Sequence, residues 1–94
     1  MDFIGTSYAV VDASVNSTTV VNGAARLYGV FVNTVMTGGV CEIEDGGSGV
    51  ITLPAALAAG TLYEFPGVRF GTSLIVNPDD ASTGELVLFY TAPV

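Results

Sequence analysis

Residues 40–54 read VCEIEDGGSGVITLP, and the turn at their centre decides how the rest of the chain is read. Before the glycines, Cys41 and Ile43 alternate with Val40, Glu42 and Glu44, so one strand face is apolar and the other acidic. After them, Ile51 and Leu53 continue the apolar face, and Val50 and Thr52 continue the other. Two half-buried strands with matched faces around EDGGSG form a β-hairpin turning within Gly46 to Gly49, where glycines supply the positive φ angles such a loop needs. The expected register sets Cys41 and Ile43 beside Ile51 and Leu53 on the buried side. A phosphate-cradling loop would need a following helix N-terminus and usually a lysine; no helical pattern follows, and the chain contains no lysine.

Outward from this hairpin the dominant period is two, with abundant β-branched and aromatic residues. FIGTSYAVVDA, STTVV, ARLYGVFVNTV, VCEIE, GVITLP, TLYEF, VRFGTSLIV and ELVLFYT read as strands. VNGAA, MTGGV, DGGSG, PAALAAG, PG and NPDDASTG between them have turn compositions. Short strands at this spacing predict an all-β chain: an antiparallel β-sandwich, jelly-roll-like, of about eight strands, forming one domain over residues 1–94. PAALAAG is too short for a stable helix and is expected to be a loop with at most one helical turn.

Composition excludes several classes of function. Nine acidic residues against Arg26 and Arg69 leave a formal charge of -7, with no histidine. A nucleic-acid surface needs clustered cations, and so does an anionic membrane surface. No apolar run approaches the ~20 residues of a membrane-spanning helix. The segment MDFIGTSYAV lacks the basic and apolar regions of a signal peptide, which predicts synthesis in a cytoplasm. The single Cys41 fits a reducing compartment and cannot form an internal disulfide.

The reagents for catalysis are sparse. Serine and cysteine nucleophiles need a base, most often histidine; zinc sites need histidines or several cysteines. Cys41 reads as a small core residue. Glu42 and Glu44 share a strand face with Cβ atoms roughly 7 Å apart, a spacing compatible with a carboxylate pair, but a sugar site also needs an aromatic-lined cleft. Asn77, Asp79 and Asp80 in NPDDASTG are oxygen donors available to Ca²⁺, without EF-hand spacing, and read more simply as turn formers. No catalytic, cofactor or metal residue is therefore assigned, and no enzymatic activity is expected. Arg26 and Arg69, alone in an acidic chain, are each expected to meet a carboxylate within the fold or across an interface.

Several strands are apolar on both faces. Leu27 and Phe31 oppose Tyr28, Val30 and Val32; Val87 and Phe89 oppose Leu86, Leu88 and Tyr90; Phe3, Ala9 and Val11 oppose Ile4, Tyr8 and Val10. A two-layer fold without helices cannot bury both faces, and large exposed apolar patches mark contact sites. The expected interface residues are Phe3, Ile4, Tyr8, Val10, Arg26, Arg69, Leu86, Leu88 and Tyr90.

The run EDGGSGVITLPAALAAGTLYEFPGVRFGTSLIV, followed by GELVLFY, resembles in element order a segment common in small all-β virion structural proteins of tailed bacteriophages. The resemblance implies a capsid decoration or cement protein, often a homotrimer, that binds and stabilises the major capsid protein shell. It implies a place on the virion capsid surface and carries over no functional residue. The alternatives are a tail or head-to-tail connector component, or a carbohydrate-binding β-sandwich module.

Overall fold

The computed structural model describes residues 6–79 and 82–93. Phe3 and Ile4 of the expected interface lie outside the described residues. Alternating β-branched and aromatic residues form eight strands: β1 (Ser7–Asp12), β2 (Thr18–Val21), β3 (Ala25–Thr37), β4 (Cys41–Asp45), β5 (Ser48–Leu53), β6 (Leu62–Phe70), β7 (Leu74–Pro78) and β8 (Thr83–Thr91). They make two antiparallel four-stranded sheets, β1-β8-β3-β6 and β2-β7-β4-β5.

This order has a simple origin. First pairs with last, second with seventh, third with sixth and fourth with fifth. The chain is thus one long hairpin whose tip is the β4–β5 turn. Rolling it up zips β8 to β3 and β7 to β4, which produces the jelly roll of two Greek keys. At the tip, Cys41 pairs with Leu53 and Ile43 with Ile51, the register read from the alternation. The loop itself is Gly46–Gly47, with φ of 61° and 99°, and β5 already begins at Ser48. Positive φ at both positions is what a two-residue I′ turn requires. A register shift between Ile43 and Glu44 leaves Val50 as an extra, exposed residue on β5.

The core lies between the sheets. Val11, Leu27, Val30, Val32, Met36, Cys41, Ile43, Leu53, Phe70, Leu74, Val76, Leu86 and Leu88 are buried there. PAALAAG carries no helix. It runs beside β3, with the Met36 amide donating to the Leu57 carbonyl at 2.8 Å and Gly60 to Val32 at 2.7 Å, and Leu57 closes the core.

Three expectations are corrected. PG is not a turn: Pro66 and Gly67 lie inside β6. Between the pairs Leu27–Val68 and Gly29–Glu64, residues 65–67 stand against Tyr28 alone. This is a bulge on an edge strand, the position where a sheet tolerates proline. Gly67 has φ of 83°, and a Cβ there would meet Tyr28 Cε1 at 3.0 Å. VRFGTSLIV is correspondingly two strands, broken at Gly71–Ser73. The carboxylate of Asp45 makes that break, accepting the amides of Gly71 at 3.0 Å, Thr72 at 2.8 Å and Ser73 at 3.2 Å, while the Gly46 amide donates to Ser73 Oγ at 3.1 Å.

The second correction concerns β3. Its bulge at Tyr28 shifts the alternation, so Leu27, Val30 and Val32 all point inward and Phe31 points out. The third concerns β8. Leu86 and Leu88 are fully buried and Tyr90 packs partly against the core, so the outer side chains are Glu85, Val87 and Phe89. Leu86 and Leu88 pair with the inward Val32 and Val30 and so belong to the core rather than an outer face.

Candidate functional site

The outer faces of the two sheets differ in chemistry. On β2-β7-β4-β5, Thr52, Glu42 and Asn77 line up across three strands. Asn77 Nδ2 donates to Glu44 Oε2 at 3.1 Å, and the Glu42 carboxylate lies over Gly49. This is the wet face expected of an antiparallel sheet. Among the described residues no cleft encloses Glu42 and Glu44, and no group of three or more metal-ligating side chains gathers. Asp79 lies over Gly39 and Asn77 is engaged with Glu44; Asp80 is outside the described residues. Cys41 Sγ is in the core, where burial, then the charges of Glu42 and Glu44, push its pKa up to about 11.

The outer face of β1-β8-β3-β6 is apolar. One row across all four strands reads Val10, Val87, Phe31, Leu62. The next reads Tyr8, Phe89, Gly29, Glu64. Tyr8 is 69% exposed, Val10 55% and Leu62 41%. Phe31, Val87 and Phe89 are half-buried, and none of the three is among the partly buried side chains packed against the core. The side chains of six large residues thus share one unbroken patch over four strands.

Charges bound this patch at both ends of the strands. Arg26 and Arg69 stand directly opposite each other on β3 and β6, on the outward side because Ala25, Leu27 and Phe70 point inward. Arg26 Nη1 donates to the Gly67 carbonyl at 3.0 Å. Neither arginine makes an ion pair among the described residues. At the other end Asp12 stands opposite Glu85. Asp12 accepts the Ser14 hydroxyl at 2.6 Å and amide at 2.9 Å, which lowers its pKa. Glu85 accepts Asn33 Nδ2 at 2.5 Å.

Of the expected interface residues, the structure gathers Tyr8, Val10, Arg26 and Arg69 on this face. Leu86, Leu88 and Tyr90 lie on the opposite side of β8. Phe31, Leu62, Val87 and Phe89 belong to the patch and were not singled out. Each alternates with a neighbour that is buried or packs against the core, but period two alone does not say which side of a doubly apolar strand faces the core. Comparisons with protein-family models, with curated proteins and with solved structures find no match for this chain.

Proposed function

We propose that this chain is a non-enzymatic structural protein that works by binding protein neighbours through the outer face of the β1-β8-β3-β6 sheet, and that it decorates and stabilises a virion capsid shell. The observation that carries the reading is the apolar patch formed by Tyr8, Val10, Phe31, Leu62, Val87 and Phe89. An antiparallel sheet in a lone soluble domain keeps one face polar, as the second sheet here does; a contiguous apolar face marks a contact. The jelly-roll order is compatible with the virion form, since viral capsid domains use this fold, as lectin domains also do. The element order of the segment from Glu44 to Val76 supports it by its resemblance to phage virion proteins.

Stabilisation follows from mass action: copies that bind the assembled shell and not its dissociated subunits favour assembly. The test is mass spectrometry of purified particles, with the chain counted against the major capsid subunit. The particles are then stripped, their failure temperature is measured, and the chain is added back. A stoichiometric chain whose return restores the failure temperature supports the reading. Stripped and restored shells that fail together, or binding to oligosaccharides instead of shells, would overturn it.

A further inference from the structure

We propose that the apolar face of the β1-β8-β3-β6 sheet is covered by the same face of a second copy, in a two-fold dimer that lays Arg26 and Arg69 of each chain on Asp12 and Glu85 of the other. The proposal rests on the reading of this face as a protein contact and names its occupant.

The argument starts from two like-charge pairs. Arg26 opposes Arg69 and Asp12 opposes Glu85, both on the outer face. Like charges directly across a strand pair are unfavourable, and each pair alone is a cost to the isolated chain. Arg26 pairs with Thr91 and Asp12 with Glu85, six residues away along β8, so the two charged ends are roughly 20 Å apart at the usual strand rise. A positive end, an apolar middle and a negative end make a surface complementary to itself. The operation that matches them is a two-fold axis lying in the interface, perpendicular to the line joining arginines to acids. It is an isologous contact, in which every pairing occurs twice. The resemblance to decoration proteins implied a threefold assembly; this face instead closes on itself as a pair. Glu64, the remaining charge on the face among the described residues, lies at the β6 edge opposite Gly29 and does not interrupt the patch.

The chain's net charge of -7 does not forbid this. Stacked sheets lie ~10 Å apart, which sets the centres of two such sandwiches roughly 20 Å apart. That is about two and a half Debye lengths at physiological salt, so repulsion between net charges is largely screened. The charged ends in contact are screened less. Four strands at ~4.8 Å by ~20 Å of length give a projected face of roughly 400 Å² per chain, about 800 Å² for the pair before surface relief is counted. That is below the usual 1,200–2,000 Å² of stable complexes, so the dimer is concentration-dependent rather than permanent.

The test is sedimentation equilibrium of the intact chain over a wide concentration range, with Arg69→Glu, Glu85→Arg and an equimolar mixture of the two. Both residues are on the surface, and circular dichroism checks that each variant folds. Wild type should show a monomer–dimer equilibrium. Each variant alone should dimerise roughly tenfold more weakly or worse, because the reversed charge enters the interface twice. The mixture should recover wild-type association, since each reversed residue then meets its opposite. A wild type that stays monomeric overturns the proposal, as does a mixture no better than its components. Shell binding by a strictly monomeric chain would refute the dimer and keep the shell reading; a charge-dependent dimer that ignores shells would keep the dimer and refute the shell reading.

Discussion

Leu88 and Val87 are neighbours on β8 that face opposite ways, and truncating each measures which side is the core. Leu88 is fully buried, paired with the inward Val30 on one side and Ala9 on the other. Leu88→Ala removes three carbons, worth about 0.8 kcal/mol each in lost burial, or ~2.4 kcal/mol. A residual cavity adds to this, because both flanking strands are locked by their own pairing. The expected total is about 3–4 kcal/mol, within the ~2–5 kcal/mol range of such truncations. For a 94-residue domain whose whole stability is on the order of 5–14 kcal/mol, that is a large fraction, equivalent to a fall in Tm of roughly 15–25 °C. Val87→Thr, on the outer face, should cost under ~1 kcal/mol. The assay is urea unfolding of both variants at low protein concentration, so that self-association does not enter, with an unchanged m-value confirming that only stability moved. Equal costs, or a Leu88→Ala cost under about 1 kcal/mol, would refute the assignment of faces on which the interaction surface depends.

Gly84→Ala should be severely destabilising, since a Cβ there meets Val35 O at 2.5 Å and Met36 Cα at 2.9 Å at a φ of +112°; a thermal midpoint near wild type would show that β3 and β8 separate freely. Cys41 should resist thiol reagents in the folded protein at neutral pH, since its pKa is pushed up to about 11 and its side chain is buried; labelling should track global unfolding, and rapid native labelling would contradict the packing. The amides of Thr72, Gly71 and Ser73 hold the Asp45 carboxyl below its ordinary pKa. Its contribution is therefore complete above the ordinary carboxylate value and is lost as pH falls through the depressed folded value. Asp45→Asn should lower stability at pH 7 with the gap closing in acid; a gap independent of pH would mean the carboxylate's charge plays no part.

The hairpin at Gly46–Gly47, its register and the all-β sandwich were legible because glycines sit between two runs of clean alternation. The two sheets follow from rolling that hairpin, and local pattern carries no trace of which distant strands then meet. Period two misled at Tyr28, the extra residue that resets the alternation on β3, and at residues 65–67, where a bulge keeps the turn-like Pro66–Gly67 inside β6. The break at Gly71–Ser73 depends on a carboxylate 26 to 28 residues away, beyond any local reading. The candidate surface was half visible. Tyr8 and Val10 are on the outward side of β1, where Asp12 continues the same face into a charge. On β8 both sides are apolar through Leu86–Tyr90, and only the pairing with Val30 and Val32 assigns Leu86 and Leu88 to the core.

The central claim is that the outer face of β1-β8-β3-β6 is a contact surface rather than a solvated one, and Leu62→Glu tests it most directly. Leu62 is 41% exposed, at the β6 end of the apolar row, so the substitution adds a charge to the patch without emptying the core. Association of the variant, with itself and with particles, is measured beside its unfolding midpoint on the same preparation. The account predicts association lost while the midpoint stays within ~0.5 kcal/mol of wild type. Undiminished association at unchanged stability would contradict it.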